Sequence, residues 1–263
     1  MIRSSNPVLG RLGEAARTPQ WLRYEGAPGY PPPQLSSARM MTVDDVVTRT
    51  VLLVLLTAAA GAVAWFSVPA GPVVYLAAFG SSIAGLVLGL VITFARITNP
   101  LVISIYAVLE GVVLGVISRA FENVYPGIVV QAVVGTVAVF AGMAMLYKAR
   151  ILRATPRFTR WVIGALIGVV ALSLLNLVFA VSGGDLGLIH YGPGQKGGLI
   201  PILFAVACVA IGALTFIIDF DAVENGVRYG LPERYAWYCA FGLLVGLIFL
   251  YWQVLRLLGY LRQ

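Results

Sequence analysis

The sequence predicts an all-α integral membrane protein, with seven membrane-spanning helices behind a polar N-terminal tail. Three observations carry that prediction. The chain of 263 residues is 60% hydrophobic and only 11% charged, with mean hydropathy +0.91, too apolar for a soluble domain of this size. Seven apolar runs, at about 49–68, 72–95, 100–119, 127–147, 160–182, 198–219 and 236–258, are each long enough to span, because a helix needs roughly 20 residues to cross the hydrocarbon core. No strand-like alternation competes with them, which argues against an outer-membrane barrel. The 29 glycines suit helices that pack closely in lipid.

Residues 1–41 contain Pro, Gly, Ser and Arg, with YEGAPGYPPPQLSS at their centre. Such a segment buries too little apolar surface to fold, and it reads as a disordered cytoplasmic tail ahead of a transmembrane domain at 42–263. Within MTVDDVVTRT, Thr42 and Asp45 have the spacing of a capping box, and Asp44 and Asp45 complement the positive end of the first helix. The first apolar run begins only after about fifty mostly polar residues, so it reads as an uncleaved start-transfer helix.

The net charge of +7 reflects topology and not nucleic-acid binding. Arg3, Arg11, Arg17, Arg23, Arg39 and Arg49 precede the first span, Arg96 ends the second, and Lys148, Arg150, Arg153, Arg157 and Arg160 fill the loop between the fourth and fifth. The opposite loops hold only Arg119 and Lys196. The positive-inside rule then places the N-terminus in the cytoplasm and the short C-terminus outside, and the basic side will attract anionic lipids.

Glycine pairs at i,i+4 stand in spans two (Gly85/Gly89), three (Gly111/Gly115), five (Gly164/Gly168) and seven (Gly242/Gly246), and they predict a compact bundle. The outer loop SGGDLGLIHYGPGQKGG lacks the setting of a phosphate loop, and its His190 reads as a solvated surface group. Cys208 and Cys239 fall inside spans, have no metal-ligand spacing and read as small core hydrophobes without a disulfide.

Acidic residues in or beside the spans are the candidate functional groups, because charge at bilayer depth is costly and marks ion or proton paths. Glu110 lies about 15 Å along span three, near the midplane, with Tyr106 one turn away as a hydrogen-bond donor. Asp219, Asp221 and Glu224, in TFIIDFDAVENG, are expected at the C-terminal end of span six, with Glu224 sharing a side with Asp221. Arg96 is their expected counter-ion, in competition with Arg228 and Arg234. Asp219 and Asp221 are also candidate ligands of a hard cation or sites of a proton, since carboxylate oxygens suit either. An enzyme is not expected. The serines of AFGSSIAG have no histidine base in any span, HExxH is absent, and the midplane offers one acid where a di-aspartyl protease needs two.

The order of several segments resembles the Bax inhibitor-1/YccA-like family, the transmembrane Bax inhibitor motif proteins, in an actinobacterial-type branch. The matching pieces are MTVDDVVTRT entering span one, Arg96 ending span two, YAVLEGVVLGVISRAFE across span three, DFDAVENGV ending span six and AFGLLVGLIFLYWQVLRLLGYL as span seven. The resemblance implies a seven-helix bundle with the seventh helix at its centre and a pH-sensitive passive calcium leak. It also implies a helix-six aspartate at Asp221, with Asp219 as the alternative register, and a helix-two arginine latch at Arg96. The family's helix-seven aspartate has no counterpart, since its place falls near Gly246 in a span without acids. Either Glu110, or Asp219 and Glu224 locally, would supply the second acid. No cofactor is implied; calcium enters as the permeant ion. The competing expectation, also from the resemblance, is a regulatory protein that modulates a membrane protease or stress response through partner contacts of its tail.

Overall fold

The computed structural model describes residues 39–67, 72–183, 187–189 and 198–262. The expected tail, apart from its last three residues, and His190 lie outside the described residues. The described chain forms seven helices: α1 (Val43–Ser67), α2 (Pro72–Ala95), α3 (Pro100–Val124), α4 (Ile128–Lys148), α5 (Pro156–Val181), α6 (Leu199–Arg228) and α7 (Tyr235–Leu261). Six are long and apolar enough to cross a membrane, and the described apolar stretch of α2, Phe79–Ala95, is shorter.

Helix starts follow local chemistry. The Thr42 backbone N–H donates to the Asp45 carboxylate at 3.0 Å and the Asp45 N–H donates to the Thr42 hydroxyl at 3.2 Å, which is the capping box of α1. Asn99 caps α3, accepting from the Leu101 N–H at 2.9 Å, and Thr155 caps α5, accepting from Phe158; each is followed by proline at the first helical position. α4 begins on Gly127 and has no side-chain cap of its own. Instead the Glu122 carboxylate, from the last turns of α3, accepts from the N–H groups of Gly127 (2.6 Å) and Val129 (3.1 Å).

Several helices run past their apolar runs. α1 starts six residues before its apolar run, on the cap that Thr42 and Asp45 predict, and α3 continues to Val124, where 119 was expected. α6 continues to Arg228, where 219 was expected. Hydropathy marks where a helix leaves the apolar layer, whereas backbone hydrogen bonding decides where it stops. The stop after Arg228 is made by Gly230, which takes φ +66°, with the Leu231 N–H bonded back to Gly226. Asp219, Asp221 and Glu224 are therefore interior to α6. Asp219 lies about 14 Å before the helix end, far enough that its charge does not oppose the macrodipole of the last turn.

α3 packs between α1 and α2, α7 packs against α1, α3, α4 and α6, and α5 packs on α6. Twelve of the 27 residues of α7 are buried, against four of 21 in α4, so α7 is turned inward on several sides. It contributes to both apolar cores: Leu243, Leu250 and Leu255 join Phe216 and Ile217, while Phe241 and Leu244 join Leu53, Ile92 and Tyr106. Side chains such as Phe66, Phe94 and Trp161 face outward, as lipid-facing positions do.

The closest helix approach joins α1 to α3. A methyl added at Gly115 would meet the Gly61 Cα at 2.8 Å, and its carbonyl oxygen closer still. One added at Gly111 would meet the Ala60 Cβ at 2.8 Å and the Thr57 carbonyl oxygen. Gly164 and Gly168 of α5 have nothing within 4 Å, so the i,i+4 pattern alone did not distinguish a packed face from an open one.

Arg39, Met40 and Met41, expected in the tail, are bound to the α6–α7 turn. The Met41 N–H donates to Leu231 and the Glu233 N–H to Arg39, both at 2.8 Å, and Met41 is buried over Gly226. Arg49 donates to the Glu233 carboxylate and carbonyl and lies 5.3 Å from the centre of the Trp237 ring.

Two outcomes are expected. Gly115→Leu should destabilise by roughly 1–3 kcal/mol or prevent folding, while Gly168→Ala should leave the unfolding temperature in detergent essentially unchanged. A double-mutant cycle of Arg49→Ala and Glu233→Ala should give a coupling energy of about 1 kcal/mol, measured by thermal unfolding of the same preparations.

Candidate functional site

The predicted carboxylates fall into three separate places. In the first, α2 and α3 meet at a glycine cleft. Gly85 and Gly89 lack side chains where α3 presents Glu110 and Tyr106: a methyl at Gly85 would lie 2.9 Å from Glu110 Oε1, and one at Gly89 would lie 3.1 Å from Tyr106 Cε2. Glu110 is half-buried, and the Tyr106 hydroxyl is within hydrogen-bonding reach of it. Tyr106 itself is buried, with its ring edge-on to Phe241 of α7 at 5.0 Å. The pair thus fills a notch that only glycine leaves open.

The second place is the seam between α6 and α7. Asp219 faces Gly246, where an added methyl would lie 3.6 Å from Asp219 Oδ2 and 2.9 Å from Phe216 Cε1. The Cys239 thiol, one turn into α7, is close enough to feel the Asp219 charge. Among the described residues Asp219 makes no ion pair or hydrogen bond, and no other charged group is near enough to act on it. Gly246 of α7 is therefore opposite Asp219, while Asp221 faces a cavity beside the α4–α5 loop. Glu110 does not complete a pair with Asp219, because its carboxylate is turned toward Gly85 on α2.

The third place is an open cavity of about 430 Å³ between α6 and the α4–α5 loop. Asp221 and Glu224 share it with Lys148, Arg150, Arg153 and Arg228. Asp221 accepts from the Asn225 amide at 2.9 Å, and Glu224 accepts from the Tyr147 hydroxyl at 2.6 Å and from Arg228 at 3.1 Å. Glu224 is accordingly a tie between α4 and α6. Spacing along α6 explains the division. Asp221 and Glu224 are three apart and share a side, while Asp219 is two residues from Asp221 and turns away.

Arg96 does not hold the position expected of a counter-ion. It ends α2 in the left-handed region (φ 50°), with the Ile97 N–H bonded to the Ile92 carbonyl, and its side chain is exposed. Among the described residues it makes no ion pair. Arg228 takes Glu224, and Arg234 lies over the Tyr235 ring. Asp219 does not line the cavity that holds Asp221. No group of three or more His, Cys, Asp or Glu side chains gathers as a metal cage among the described residues.

One buried charge went unremarked in the sequence. Arg256, in the C-terminal turns of α7, is 5% exposed and donates to Gln253 at 2.6 Å. Its signal in the sequence is a lone cation within the apolar run LYWQVLRLLGYL.

No curated protein matches this chain. A family model described as Bax inhibitor 1 like matches residues 6–263, almost the whole length. With helices of spanning length and apolar character along the matched region, the chain belongs to the Bax inhibitor 1-like family of multi-pass membrane proteins.

Proposed function

We propose that the protein is a passive cation leak of the bacterial inner membrane, with calcium as the permeant ion and protonation of a buried carboxylate as its control. The observation that carries this reading is Asp219, a half-buried acid in the interior of α6 that faces α7 without a basic partner among the described residues. A carboxylate kept in an apolar seam is costly and is retained where ions or protons pass. In this reading the seven helices all span, α7 is the central one, the N-terminus is cytoplasmic and the C-terminus lies outside. Ions pass Asp219 along the α6–α7 seam, and Asp221 and Glu224 line a separate cavity beside the α4–α5 loop. Asp219 acts singly, since Gly246 stands opposite it. Glu110 holds α2 against α3, and Arg96 guards the cytoplasmic surface without a fixed partner.

A second reading has its own support. The strap of Arg39–Met41 ties the segment that follows the tail to the α6–α7 turn, so a partner pulling on the tail would act on the helices that carry Asp219. A regulatory role would use that connection.

Purified protein in liposomes loaded with a calcium dye tests both. Influx is expected to vary between about pH 5 and pH 8, the range reached by a carboxylate in an apolar site. Asp219→Asn should flatten that profile to within about twofold, while Glu110→Gln should alter the size of the flux and keep its pH profile. Absence of flux above empty liposomes would overturn the channel reading. A flux governed by deletion of residues 1–38, and indifferent to Asp219→Asn, would favour the regulator.

A further inference from the structure

The α6–α7 seam carries a second charge that the reading above does not use. Arg256 is 5% exposed, and its Nη2 donates to Gln253 Oε1 at 2.6 Å and lies 3.9 Å from Cys208 Sγ of α6. Its guanidinium also lies 5.9 Å from the centre of the Phe204 ring. No carboxylate pairs with it among the described residues, and its Nε is buried without a hydrogen-bond partner. An arginine stays protonated at any pH a cell reaches, so this is a permanent positive charge inside the bundle.

Its place in the seam is ordered. Asp219 faces Gly246, Phe216 fills the notch at Gly246, and Phe249 fills the notch at Gly212. Beyond them Arg256 meets Cys208, about 15 Å along α7 from Gly246. Along this line stand a carboxylate, then two phenyl groups, then a fixed cation. Repulsion from a fixed charge grows with the charge of the ion and is strong where water is scarce, so Arg256 opposes a divalent cation about twice as strongly as a monovalent one.

We propose that Arg256 is the specificity-determining residue of the seam, restraining calcium relative to potassium. The proposal rests on the reading that ions pass between α6 and α7. It gives the leak a built-in limit on divalent flux, set by a group that no pH change removes.

The experiment measures calcium and potassium influx into liposomes, at one pH, for wild type and three variants checked for monodispersity in detergent. Arg256→Gln removes the charge and keeps a polar group, and it should raise the calcium-to-potassium ratio about tenfold. Arg256→Lys keeps the charge without the guanidinium fork and should keep the wild-type ratio. Cys208→Asp leaves Arg256 in place, gives it a counter-ion and should raise the ratio as Arg256→Gln does, so a poorly folding Gln variant does not remove the test. An unchanged ratio in both neutralising variants overturns the proposal, as does a rise in Arg256→Lys equal to that in Arg256→Gln. Wild type that conducts neither ion overturns the conduction reading itself, a result distinct from conduction with an unaltered ratio.

Discussion

The backbone contact between α1 and α3 is the constraint on which the rest of the bundle depends. In lipid, apolar side chains gain little by leaving one hydrocarbon surface for another, so helix association relies on close packing and on polar contacts. Gly61, Gly111 and Gly115 remove the side chains that would separate the two helices, and the remaining approach is backbone against backbone. With α3 set there, its other faces follow. Glu110 and Tyr106 enter the glycine cleft of α2, Ser118 shares a 2.6 Å hydrogen bond with Tyr251 of α7, and Phe121 fills the space left by Gly259. α7 uses the same device toward α6, where Phe216 and Phe249 occupy notches at Gly246 and Gly212.

Charges divide by position. Those at helix ends are answered locally: Asp45 by Thr42 and Arg39, Arg49 by Glu233, Glu122 by two backbone N–H groups, Glu224 by Tyr147 and Arg228. Arg119 and Arg262 donate to carbonyls at neighbouring helix ends, Trp65 and Pro126 respectively. Exposed pairs of this kind contribute little to stability, but they fix where each helix enters and leaves. Asp219 and Arg256 differ. They lie on one seam, both interior, and neither has a partner of opposite charge among the described residues. That separation of ties at the ends from unanswered charges within distinguishes structural polar groups from candidate functional ones.

Much of the architecture was legible from local pattern. Apolar run length located all seven helices, Thr42 and Asp45 announced the first cap, and the proline after Asn99 marked the start of α3. The site was less legible. Asp219 and Asp221 are equivalent by composition and depth, and only helical phase against a particular neighbour distinguishes them. Arg96 was at a plausible depth for a counter-ion, but a residue at φ 50° that closes a helix points its side chain where the turn sends it. Of the four glycine pairs, two sit in tight contact and one faces nothing within 4 Å, a difference that no i,i+4 count contains.

The sequence by itself determined that the chain is helical and crosses a membrane, because spanning length and hydropathy are properties of single segments and backbone satisfaction in lipid leaves helices as the solution. It determined also which residues are costly at depth, since desolvation of a charge depends first on residue type. Tertiary structure alone decided which acid faces α7, which arginines find partners, that Met41 belongs to the core and that Arg256 meets Cys208 on the same seam as Asp219. These are relations between segments distant in sequence, set by how closely two backbones approach and by the rotation of each helix about its axis.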